Sequence, residues 1–218
     1  MKAGIMVDVQ NDFMFADGAL YVPNAENIIS NIVEVVKKLK ENDLPIIATA
    51  DKHYGLKDYA EVETELQVNG GPFPDHCMNG TPGGMLIGTL SETIGVPRKI
   101  DDYHSHSFED VIEKQSQYYL KVVLSEGVAI FTKQTYDAFR NRYFARICKI
   151  FDEFIVFGVA TDFCVYAVVD GLMRLGKKVT LITDAIAGVD KAKSADILLQ
   201  FQKDGVVLIK TEDFLKGE

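Results

Sequence analysis

Apolar positions recur along this chain in two rhythms, one of short runs and one of helical spacing, and the two alternate. Residues 3–8 (AGIMVD) are a short apolar run closing on an acid, the pattern of a buried strand whose C-terminal end carries a polar group. After Pro23 and Asn24 the spacing changes: Ile28, Ile32, Val35, Val36 and Leu39 predict an amphipathic helix that ends near Asn42. Residues 45–50 (PIIATA) are strand-like again and are again followed by an acid, Asp51. The stretch 52–90 is rich in Gly, Pro, Asn and Asp and holds no period, so it reads as a long irregular excursion. Such excursions are uncommon unless they build a site. Residues 91–125 are polar, with a helix expected only around Phe108–Gln115.

Beyond residue 127 the alternation is regular. A strand over 128–132 precedes Lys133, and Phe139, Tyr143, Ile147 and Ile150 mark an amphipathic helix. Strands at 154–159, 178–183 and 206–209 then alternate with helices at about 162–175 and 191–203. Strands separated by helices imply right-handed βαβ units and a mainly parallel sheet covered on both faces. The expected fold is therefore α/β, a three-layer αβα sandwich, in a single domain spanning residues 1–218.

A hydrophobic share of 47% and a charged share of 25% are ordinary for a globular chain and argue against long disordered tails. Lys and Arg number 23 against 32 Asp and Glu, a formal charge of −9, which repels phosphate backbones and anionic lipid. Neither nucleic acid nor a membrane is expected as a partner. No stretch approaches a membrane span, and Asp8 interrupts the N-terminal apolar run before it reaches the length of a signal-peptide core. Cys77, Cys148 and Cys164 are odd in number and unrelated in spacing, which points to free thiols in a reducing cytoplasm.

In open parallel sheets, ligands bind outside the carboxyl ends of the strands. The polar residues at those ends are Asp8, Asp51, Lys133 and the GVATDFC turn leading to Cys164. A thiol in the first turn of a helix, near an ammonium, is expected to have a lowered pKa and to act as a nucleophile. Asp8 is the natural acceptor for its proton, with a turn-forming acid as the plainer reading. A sensor thiol would not require both Asp8 and Lys133 at the same rim. Asp51, His53 and His76 form a second set, two imidazoles and a carboxylate suited to Zn, Mn or Fe(II). His104 and His106 lie in acidic, polar surroundings and read as a solvated loop, and Cys148 on an apolar helix face reads as inert. Gly70–Gly71 and Gly83–Gly84 lack the strand–turn–helix setting of a phosphate loop.

Taken together, VDVQNDF at 7–13, DKH at 51–53, PDHCMNGTPG at 74–83, Lys133 and GVATDFC at 158–164 resemble the isochorismatase-like cysteine hydrolases and, within them, the nicotinamidases. The resemblance implies Asp8 as general base, Lys133 as the charged member of the triad and Cys164 as nucleophile. It implies Asp51, His53 and His76 as ligands of one divalent ion, Zn, with Fe or Mn as alternatives. It also implies a cis peptide before Ala160, an oxyanion hole built from the N–H groups of Ala160 and Cys164, and Phe13, Phe73 and Tyr136 as walls around a pyridine ring. The implied reaction is hydrolysis of nicotinamide to nicotinate and ammonia through a thioester. Another small amide, such as pyrazinamide or a carbamoyl compound, is the alternative substrate, and a second copy of the chain is an optional partner. Tyr59 stands where many nicotinamidases place a further histidine, and the segment between His76 and Lys133 is longer than in compact relatives.

Overall fold

The computed structural model describes residues 1–56, 61, 63–95, 97–102 and 109–217. Tyr59, His104, His106 and the start of the helix expected at Phe108 fall outside the described residues. Seven strands make one sheet: β1 (Lys2–Val7), β2 (Ile46–Asp51), β3 (Arg98–Ile100), β4 (Val128–Lys133), β5 (Glu153–Val159), β6 (Lys178–Ala187) and β7 (Val207–Ile209). Their order is β3-β4-β2-β1-β5-β6-β7, and every pairing in the ladder is parallel. The expected three-layer αβα fold is the observed one.

Period-two alternation sends side chains of each strand to opposite faces, and helices cover both. Ala3, Ile5 and Val7 of β1 join the core with α5 (Arg142–Ile150) and α6 (Cys164–Arg174), alongside side chains of α4 (Glu109–Glu126) and α7 (Lys191–Lys203). Met6 of β1 and Ala48 of β2 pack on the other face with α2 (Ile29–Glu41), Leu90 of α3 (Gly88–Ile94) and Phe214 of α8 (Thr211–Lys216). A short helix, α1 (Asn11–Met14), follows β1 and buries Phe13 and Met14 against this second face. The helix read from Asn24 onward begins as a turn of 3-10 helix over Ala25–Ile28 before α2 proper.

The polar region 91–125 holds more structure than its pattern announces. Leu90 is the buried residue of α3, β3 contributes three residues at the sheet edge, and α4 is 18 residues long. These elements are short or peripheral, so few of their positions need be apolar and the periodic signal is weak.

Candidate active site

Four strand ends assemble the site. β4, β2, β1 and β5 are consecutive neighbours, so residues that follow them meet although they are far apart in sequence. Asp51 and Lys133 are register partners, and the Asp8 N–H donates to the Thr49 carbonyl at 3.2 Å. Asp8 takes a φ of 50°, in the left-handed region where Asp is tolerated better than most residues. Gly158 lies beside Val7 with a φ of 120°, and a Cβ there would stand 2.1 Å from the Val7 carbonyl oxygen. Only glycine lets β5 run this close to β1 before the GVATDFC turn. The peptide between Val159 and Ala160 is cis.

The Lys133 ammonium is the hub of the cluster. It is sealed from solvent, with Nζ 2.8 Å from Asp8 Oδ2 and 3.6 Å from Cys164 Sγ, and it also donates to Asp51 Oδ1. Burial pulls its pKa down, but Asp51 and Asp8 outweigh that and hold it well above the usual lysine range. Burial pushes the Asp8 carboxyl up, with Lys133 opposing, and the Thr49 hydroxyl donates to Asp8 Oδ1 at 2.7 Å. Burial acts on Asp51 in the same direction, yet Lys133 and the two imidazoles overcome it and hold this carboxyl well below the carboxylate range.

Cys164 is the first residue of α6, where the GVATDFC turn placed it, but its electrostatics differ from the sequence expectation. Burial pushes the thiol well above its usual pKa; Lys133 opposes this, while Asp8 and Asp51 reinforce it. A helix N-terminus and one ammonium do not offset a sealed site with two carboxylates. The thiol therefore keeps its proton in the resting site, with a carboxylate oxygen of Asp8 within 4.8 Å of the sulfur. The backbone N–H groups of Ala160 and Cys164 donate to no group among the described residues.

Asp51, His53 and His76 present ligand atoms that all lie within 4.8 Å of one another. The His76 Nδ1 lies 2.7 Å from the Pro74 carbonyl, which can only accept, so Nδ1 carries a proton; Nε2 lies 3.5 Å from Asp51 Oδ2, and despite burial this carboxylate holds the imidazole above its usual pKa. His53 is fully buried with neither ring nitrogen hydrogen bonded. A sealed imidazole with both edges unpaired lacks a partner that a divalent ion would supply, and this donor set suits Zn, Fe(II) or Mn. The residues fit the ion. Asp51 joins the two halves of the site, since one of its oxygens meets Lys133 and the other faces His76.

Burial, with Asp51 opposing, lowers His53 to about 4, so the imidazole is neutral at neutral pH, the form that binds metal. In the unfolded chain this group takes its proton near pH ~6.5, so below that pH the unfolded state binds more protons and stability falls with pH. Between pH 7 and pH 5 the metal-stripped protein is expected to lose about 2 kcal/mol more stability than its His53→Asn variant. Urea unfolding at both pH values measures this, and equal losses would assign the titration to other groups.

A cavity of about 110 Å³ opens onto Cys164, Asp51 and His76, and Phe13, Phe73, Tyr136 and Phe163 line it. The Phe13 and Phe73 ring centroids lie 5.5 Å and 6.2 Å from that of His76, and Phe73 meets Phe163 edge-on at 5.6 Å. Every residue singled out for chemistry or for the ring wall thus lies at this one site or its cavity. The sequence reading passed over several others. Gln10 clamps the Asp51 backbone, accepting its N–H at 2.7 Å and donating to its carbonyl at 2.8 Å. Asp12 accepts the Cys77 N–H at 2.6 Å and so ties α1 to the loop that carries His76. Both stand inside VDVQNDF, where their neighbours drew the attention. Glu63, sealed 3.8 Å from His53 Nδ1, and Glu65, on the cavity wall, lie in the aperiodic excursion, where nothing in the pattern marks an acid as buried. Cys77 and Cys148 are buried thiols that burial pushes up in pKa.

The parallel sheet and the cluster at its carboxyl edge define an α/β hydrolase. The chain belongs to the isochorismatase family, whose domain model matches residues 2–115 and 113–213. The nicotinamidase of Escherichia coli is 27% identical over 98% of this chain and 96% of that protein. The nicotinamidase/pyrazinamidase of Mycobacterium tuberculosis is 26% identical over 96% of this chain and 98% of its own length. Among solved structures, the pyrazinamidase of Pyrococcus horikoshii in complex with zinc aligns with a TM-score of 0.70 at 25% identity, covering 96% of this chain and 98% of that one.

Proposed function

We propose that this chain, working as one domain, is a metal-dependent cysteine amidohydrolase that converts nicotinamide to nicotinate and ammonia. The observation that carries the reading is that Cys164, Asp51 and His76 line one cavity walled by aromatic rings, with Asp8 and Lys133 sealed behind them. Relatives that are nicotinamidases along nearly their full lengths support the substrate.

Asp51, His53 and His76 would hold one divalent ion, zinc by preference and iron or manganese as alternatives. Such an ion supplies a Lewis-acidic position for a ring nitrogen or a water beside the reacting amide. Asp8 accepts the Cys164 proton as sulfur bonds to the carboxamide carbon, and the carbonyl π electrons move onto oxygen. That oxyanion is received by the unused N–H groups of Ala160 and Cys164; losing one such donor typically costs on the order of 10²–10³ in rate. As the C–N bond breaks, protonated Asp8 returns its proton to the leaving nitrogen and ammonia departs. A water then gives a proton to Asp8 and attacks the thioester; nicotinate leaves and the thiol is reformed. Lys133, in contact with Asp8 and Cys164, balances the negative charge that moves between them.

Three free, buried thiols suit a reducing cytoplasm, and we place the protein there. Among the described residues no helix is long and apolar enough to cross a membrane. The reading is tested by ammonia release from nicotinamide by purified protein of known metal content. Release that disappears on chelation and returns with zinc is expected. A metal-loaded protein that releases no ammonia from nicotinamide would move the substrate to another small amide.

A further inference from the structure

Among the described residues, Glu65 is a carboxyl on the cavity wall that the proposed chemistry leaves unused. It is 8% exposed on a wall otherwise dominated by Phe13, Phe73, Tyr136 and Phe163. One oxygen accepts the Tyr136 N–H at 2.7 Å, and the other has no hydrogen-bond partner among the described residues. The backbone beneath is fixed: the Phe73 N–H donates to the Glu65 carbonyl at 2.9 Å, and a Cβ on Gly71 would stand 2.2 Å from the Glu65 carbonyl carbon. A rigid support that holds a polar group with one unsatisfied side toward a ligand cavity is how a site recognises a complementary group.

We infer that Glu65 is a specificity-determining residue whose unpaired oxygen accepts a hydrogen bond from a donor on the ring of the bound amide, so that the site favours ring-aminated aromatic carboxamides. The inference rests on the amidohydrolase reading and deepens it. An unsubstituted ring covers the carboxyl with C–H groups and leaves it buried and unpaired, whereas an amino group satisfies it. A site built to hydrogen-bond a substrate group discriminates strongly against the analogue that lacks it. Burial pushes the Glu65 carboxyl up to about 7, with the Tyr136 N–H opposing.

The test compares kcat/KM for nicotinamide and for each ring-aminated nicotinamide in the zinc-loaded wild type, Glu65→Gln and Glu65→Leu. Glu65→Gln keeps an oxygen for the Tyr136 N–H and turns an NH₂ toward the cavity, so the fold is retained while the acceptor becomes a donor. For at least one aminated isomer, the ratio of its kcat/KM to that of nicotinamide is expected to fall about tenfold or more in Glu65→Gln. The same ratio should fall toward unity in Glu65→Leu, with KM carrying the change. Ratios that move less than about twofold for every isomer, in variants that still hydrolyse nicotinamide, overturn the inference and leave the amidohydrolase standing. A wild type that hydrolyses none of these amides removes the reading beneath it.

Discussion

Cys164→Ala is expected to lose turnover by at least about 10⁴-fold while folding and binding metal as the wild type does. The thiol contacts the Lys133 ammonium, lies within 4.8 Å of an Asp8 oxygen and lines the ring-walled cavity. The structural cost of removing it is small. Alanine keeps the backbone N–H groups of the turn and gives up one buried sulfur, and it relieves Asp8 of a neighbour that competes for protons. Ammonia release, metal content and a urea midpoint measured on the same preparation separate the outcomes. Near-normal release from a folded, metal-loaded variant would take sulfur out of the mechanism.

Lys133→Met is expected to cost both activity and about 3–5 kcal/mol of stability at neutral pH. The methionine fills much the same volume, so packing is not the issue. The loss arises because Asp8 and Asp51, both buried, are left facing one another without the cation between them. Asp51 is held ionised largely by that ammonium, and Asp8 is already pushed up by burial. Lowering the pH lets these carboxyls take up protons in the variant, which removes the repulsion, so the stability gap to wild type should shrink as pH falls. Equilibrium unfolding in urea at two pH values reads this directly. A gap under about 1 kcal/mol at neutral pH would show that the lysine is not balancing buried charge.

Both effects trace to one feature, the position of Lys133 between two functions. A single ammonium contacts the proposed base, the proposed nucleophile and a candidate metal ligand, so the charge of the candidate metal site and the proton on the thiol are coupled through Asp51. Metal occupancy should accordingly change the ionisation of the thiol half through Asp51, whose two oxygens face Lys133 and His76.

The sequence by itself determined the alternation of strands and helices beyond residue 127, the acids that end the first two strands, and Cys164 at the start of a helix. Those signals are legible because a strand buried on both faces must be apolar along its length, and a polar residue at its end stands out. The motifs likewise named Asp51, His53 and His76 together. What only the tertiary structure decided was adjacency and environment. Strand order makes neighbours of Asp8, Asp51, Lys133 and Cys164, a consequence of pairing that no local pattern carries. It also raised the Cys164 pKa where helix position alone suggested lowering, because desolvation and neighbouring carboxylates depend on everything packed around the sulfur. Glu65 shows the same limit most plainly. In sequence it is one acid among several in an aperiodic stretch, and only the closure of residues 63–73 beside the Tyr136 backbone turns it into a buried carboxyl on the wall of the cavity.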